Sequence, residues 1–127
     1  MSPDHADRVH ASDDPLLASL GLTLLFFALC LWRIEIPGTH YFDEIHYLPA
    51  ARELLAGTAY RNPEHPPLGK EIIAAGIALF GDNPVGWRLL PTLFGALALF
   101  AAMRALWFGT LSRFATLAYG LLLATGF

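Results

Sequence analysis

Two carboxylates, Asp43 and Glu44, stand side by side in the stretch YFDEIHY, flanked by aromatic residues. A carboxylate is a weak base toward an alcohol, so it acts as one only within hydrogen-bond reach of the proton it takes. Neighbouring residues on a helical backbone point about 100° apart, so the pair cannot serve one atom and their roles divide. Glu44 is assigned to an ion pair that holds a basic residue or a metal. The plain alternative is that both, with Thr39, cap the helix that follows.

Positive charge arrives later, in RNPEHPPLGK and at Arg88. A residue before proline is pushed out of the helical region, so His65 and Pro66 are extended. The helix that opens at Pro67 presents free N–H groups, an anion site suited to a phosphate, with Lys70 in its first turn. Arg88 suits a phosphate or a carboxylate bidentately, so it either binds an anion or locks Glu44. A basic residue at a bilayer edge can equally just meet headgroups. His65, held extended, is assigned to orienting a ligand. His40, His46 and His65 share the segment with Asp43, Glu44 and Glu64, but the spacing matches no standard ligand signature. No metal or other cofactor is therefore expected to be required, with a divalent cation kept as the alternative. His5 and His10 lie in the tail and receive no role.

The elements that must position these groups belong to a membrane protein. Of 127 residues, 55% are hydrophobic and 15% charged, against about a quarter charged in soluble domains. A net charge of −3 excludes a nucleic-acid partner, which needs a basic face. Cys30 can form no internal disulfide and reads as a small hydrophobe. After a polar tail, residues 1–14, the uncharged run 15–32 gives roughly 27 Å of helix, close to a hydrocarbon core. Its acidic flank, its length and the lack of a small-residue cleavage site argue against a signal peptide. A second span is expected over 89–108, with Arg104 snorkelling from its last turn. Residues 114–127 start a third span that stops part-way, so the chain reads as the amino-terminal piece of a larger protein. Trp32, Trp87 and Trp107 near the span ends fit an interfacial belt, as do Tyr41, Phe42 and Tyr47.

Residues 33–88 thus form one loop on one membrane face. Two juxtamembrane helices are expected in it, over 47–57, where Pro49 is tolerable only in a first turn, and over 67–81. Glycines 57 and 81 close them. Arg104 and Arg113 argue that the loop is outside. The count of Lys and Arg, five in 33–88 against one in the tail, argues the reverse.

YFDEIHYLPAARELLAG followed by HPPLGKEIIAAGIALFGDNPVGWRLLPTLFGALA resembles the amino-terminal region of protein O-mannosyltransferases, within the GT-C class of membrane glycosyltransferases. The likeness runs from about residue 16 to the end. The resemblance implies an all-α, multi-pass GT-C helical bundle with 33–88 extracytoplasmic, in a bacterial inner membrane. It implies an inverting transfer of a sugar, mannose first, from a polyprenyl phosphate to a Ser or Thr hydroxyl of a protein or peptide. Asp43 is then the catalytic base, with Glu44 beside it. His65, Lys70 and Arg88 then serve the phosphate-linked donor. The lipid bilayer is a partner and a dimer is left open. Two rivals stand: an aminoarabinose-transferase-like enzyme acting on a lipid or polysaccharide, and a non-catalytic truncated protein. The isolated chain is expected to show no turnover.

Overall fold

The computed structural model describes residues 13–58 and 63–126. Residues 1–12, with His5 and His10, lie outside them, as do Arg61 and Asn62 of the loop. Among the described residues the regular elements are α-helices and no strand occurs. We label them α1 (Leu16–Leu31), α2 (Phe42–Ala56), α3 (Leu68–Phe80), α4 (Pro84–Thr110) and α5 (Arg113–Thr125). The chain divides into two compact units, Leu29–Phe94 and the flanking residues up to Ala28 with Gly95 onward.

Helix α2 begins at Phe42, five residues before the expected start. The reason lies in its first turn, where the Glu44 carboxylate accepts the Tyr41 N–H at 2.8 Å and satisfies a group the helix leaves unpaired. Pro49 consequently sits inside the helix and not in its first turn. Gly57 closes α2 in the left-handed region, φ 63°, its N–H donating to the Leu54 carbonyl at 3.2 Å. Helix α3 runs over 13 residues from the residue after Pro67 and ends at Gly81.

Helix α4 starts at Pro84, ahead of the expected 89, because Asn83 makes a cap. Its Oδ1 accepts the N–H groups of Val85 at 3.0 Å and Gly86 at 3.2 Å, while its Nδ2 donates to the Phe80 carbonyl. With 27 residues, α4 is the one helix among the described residues long and apolar enough to cross a membrane. Helices α1 and α5 are apolar but shorter.

In the Leu29–Phe94 unit, α2 and α3 pack through Leu48, Ala51, Ala74 and Ile77, and Trp87 of α4 completes the core. Gly76 and Gly86 let α3 and α4 approach so closely that a Cβ on Gly76 would collide with the Gly86 carbonyl oxygen. In the other unit, Met103, Leu99 and Trp107 of α4 are buried, and Gly120 of α5 faces Met103 and Leu22.

The tryptophans depart from the expected belt. Trp32 is 78% exposed, but Trp87 and Trp107 are only 7% and 3% exposed. Trp87 is held inward because its indole N–H donates to Asp82 Oδ1 at 2.6 Å. Arg104 does not reach outward either: its guanidinium meets the Asp14 carboxylate with two hydrogen bonds.

Candidate functional site

The amino-terminal half of α2 and the 63–69 segment line a cavity of about 840 Å³ in the Leu29–Phe94 unit. From α2 come Asp43, His46 and Tyr47, at positions i, i+3 and i+4 and hence on one helical face. Glu64 and His65 enter from the other segment, and Glu44 contributes as well. Ile72, Ile73, Pro91, Phe42 and Phe94 make the remaining wall apolar. This is the composition of a ligand site: apolar walls with a few polar groups that fix orientation.

The two adjacent acids differ in their bonding. Asp43 is exposed to the cavity and pairs with no side chain among the described residues. Glu44 receives Arg88 on both oxygens, Nε on Oε1 at 2.6 Å and Nη2 on Oε2 at 2.8 Å. The bonded guanidinium holds the Glu44 carboxyl below the ordinary glutamate value, against the desolvation that partial burial costs it. Arg88 also donates to the carbonyls of Ile34 at 2.8 Å, Pro37 at 3.0 Å and Thr39 at 3.3 Å. A guanidinium has five N–H groups, and these bonds engage all of them.

Lys70 is fully buried, not at a headgroup surface. Its Nζ donates to the His65 carbonyl at 3.1 Å and lies 5.9 Å from the centre of the Tyr47 ring. The His65 ring tilts against the same tyrosine, centroids 5.8 Å apart. The structure therefore brings Asp43, Glu44 and His65 to one cavity, whereas Lys70 and Arg88 stand behind its wall and do not line it. Among the described residues no three His, Cys, Asp or Glu side chains gather to hold a metal ion.

Several contributors are not assigned to the cavity by the sequence. His46 and Tyr47 carried a signal, since their spacing from Asp43 puts them on its face. Outside the cavity, the cluster of Arg52, Asp82 and Trp87 carried none. Arg52 bonds Asp82 through Nε at 2.8 Å and Nη2 at 2.9 Å across 30 positions of sequence, joining α2 to the turn before α4. That pairing is the first cause of the lowered Asp82 pKa.

Comparison with known proteins adds an independent line. The family described as dolichyl-phosphate-mannose-protein mannosyltransferase matches residues 20–127. A polyprenol-phosphate-mannose–protein mannosyltransferase of Corynebacterium glutamicum is 40% identical over 78 residues, 52% of this chain and 15% of that protein. The protein of the same description from Mycobacterium tuberculosis is 39% identical over 82 residues, 60% of this chain and 16% of its own length. Protein O-mannosyltransferase 1 of Drosophila pseudoobscura pseudoobscura is 32% identical over 123 residues, covering 84% of this chain and 13% of that protein. The chain thus spans a small part of the length of each relative. No solved structure matches it significantly.

Proposed function

Since the chain belongs to the dolichyl-phosphate-mannose-protein mannosyltransferase family, we propose that it forms the base-bearing part of a glycosyltransferase. The reaction moves mannose from a polyprenyl phosphate to a Ser or Thr hydroxyl of a protein. In the full-length protein, α1, α4 and α5 cross the membrane as part of a GT-C bundle, and the 33–88 segment faces the extracytoplasmic side.

Asp43 takes the acceptor hydroxyl proton while that oxygen bonds to the anomeric carbon. The bond from that carbon to the phosphate oxygen breaks, and polyprenyl phosphate leaves with the electron pair. Single displacement from the opposite face inverts the anomeric centre. The observation that carries this reading is the contrast within one dipeptide. Asp43 is open to an 840 Å³ cavity while Glu44 is tied on both oxygens.

Glu44 is then a positioning group that fixes the first turn of α2, and Arg88 locks it. His65 lines the same cavity from the second segment and orients donor or acceptor. Charge for the departing phosphate comes from cations other than Arg88, whose donors are engaged.

The test is transfer from labelled polyprenyl-phosphate mannose to a Ser/Thr peptide in membranes carrying the full-length protein. Asp43→Asn is expected to lower kcat by about 10²–10⁴-fold, the range for general base catalysis. Donor binding should change less than about twofold, since the amide keeps the shape. Normal turnover of Asp43→Asn would move the base elsewhere, and transfer to lipid with none to peptide would reassign the acceptor.

A further inference from the structure

A lysine near a phosphate-handling site is ordinarily read as a phosphate contact, but the placement of Lys70 points inward. Its side chain has no exposed surface, and its Nζ bonds the His65 carbonyl. Three features converge on the Tyr47 ring: the Lys70 ammonium at 5.9 Å, the His65 ring at 5.8 Å, and the backbone at Gly69, whose added Cβ would lie 3.7 Å from Tyr47 Cε1. Tyr47 itself stands one helical turn after Asp43 on the same face of α2. The 65–70 segment is therefore docked on the helix that carries the base, with the lysine on the inner side of the contact. Pro66 adds a backbone restraint by keeping His65 out of the helical region. His65 lines the cavity together with Tyr47 and Gly69 of this assembly, whereas Lys70 does not.

We infer that Lys70 is a positioning residue for His65: its buried ammonium, set between the His65 carbonyl and the Tyr47 ring, fixes the imidazole in the cavity that Asp43 also lines and makes no contact with the donor phosphate. A buried ammonium is stable only with acceptors around it, and here an acceptor is the backbone of the residue to be placed. The cation–π contact strengthens as the pair leaves water. The inference rests on the mannosyl-transfer reading above and assigns a division of labour within that site.

The experiment is a mutant cycle in the full-length protein, measuring kcat and the donor KM for Lys70→Met, His65→Ala and the double variant. Methionine keeps the length of the side chain without burying an unpaired charge. Lys70→Met is expected to lower kcat about tenfold or more while donor KM stays within about twofold. The double variant should be no slower than His65→Ala alone, because residues that act through one another are not additive. A phosphate contact predicts the reverse, a donor KM raised tenfold or more with losses that multiply; that result overturns the inference. If Lys70→Met fails to accumulate in membranes, Pro66→Ala loosens the same backbone with the lysine intact. It should lower kcat at constant donor KM, and an unchanged kcat overturns the inference. The two readings fail separately. A wild-type protein without peptide mannosylation removes both, whereas an active wild type with an inactive Asp43→Asn and multiplying losses removes only the positioning role.

Discussion

The two compact units treat polar groups in opposite ways. In Leu29–Phe94, Arg88 serves a carboxylate and three backbone carbonyls, Arg52 and Trp87 meet on Asp82, and Lys70 holds a carbonyl. In the unit formed by the flanking residues, the Asp14–Arg104 pair stands apart from three buried hydroxyls, those of Ser19, Thr23 and Thr116, which find no hydrogen-bond partner among the described residues. The difference follows from the backbone. A regular helix satisfies its own carbonyls, whereas an irregular segment such as 34–39 leaves them unpaired, and an unpaired buried carbonyl is costly. Side-chain networks therefore concentrate where the chain leaves the helix, which is also where the cavity is built. A polar network here is the means of holding an irregular loop still, and only secondarily a source of reactive groups.

Breaking that network tests the comparison most severely. Arg88→Met leaves the Glu44 carboxylate half-buried without its counter-ion and three carbonyls without a donor. The expected loss is about 2–5 kcal/mol, read as a lower Tm of the full-length protein in detergent, with activity falling too. Adding Glu44→Gln should recover part of the stability, because the second change removes the stranded charge. An Arg88→Met protein as stable as wild type would mean the clasp does not hold the loop.

Next in size is Gly76→Ala. A Cβ there meets the Gly86 carbonyl, which is backbone at the start of α4 and can yield only if the helix shifts. Overpacking of this kind costs about 1–3 kcal/mol, more than the helix propensity that alanine gains. A Tm equal to or above wild type would show that the two helices separate more freely than their packing implies.

How much of this was legible beforehand depended on the range of the signal. The helices announced themselves through apolar runs and through local punctuation such as Gly57 and Gly81, because those signals act within a turn. Boundaries shifted where a side chain did the capping: Glu44 drew α2 back to Phe42, and Asn83 drew α4 back to Pro84. Residue types in the cavity were readable too, since Asp43, Glu44 and His65 were singled out and line it together. Which charge faces which was not readable. Arg88 lies 44 positions from Glu44, and both a phosphate and a carboxylate satisfy a guanidinium equally well on paper. The direction of Lys70 was not readable for a related reason. The helix position suggested an anion site, yet the side chain folds inward onto the preceding carbonyl, a direction that spacing does not specify.

The clasp can also be loosened by acid, and the sign follows from Glu44. Its folded-state pKa lies below the ordinary value because Arg88 bonds the ionised form. The stability it contributes is complete above the unfolded glutamate value of about 4.3 and is lost as pH falls through the lowered folded value. Hydrogen exchange of the 34–44 backbone should stay slow from neutral pH to about 5 and, after correction for intrinsic exchange rates, quicken below about 4. Protection lost between pH 6 and 7 would point to a different group as the controlling one.

The smallest effect is expected where the other unit has its own close glycine. A Cβ on Gly120 would meet the Met103 side chain, with Leu22 Cδ2 at 3.0 Å. Both neighbours are side chains and not backbone, Met103 meeting it through Sδ and Cγ, and methionine repacks with little cost because its three torsions are soft. Alanine meanwhile gains about 0.5–1 kcal/mol of helix propensity over glycine. The two terms nearly cancel, so Gly120→Ala should change stability by less than about 1 kcal/mol while Gly76→Ala does not escape so lightly. Measuring the two substitutions side by side isolates what distinguishes the units: a backbone neighbour in one and a flexible side chain in the other. Equal losses would mean that Met103, fully buried, has no alternative rotamer to adopt, and that the apolar unit is as tightly specified as the cavity-bearing one.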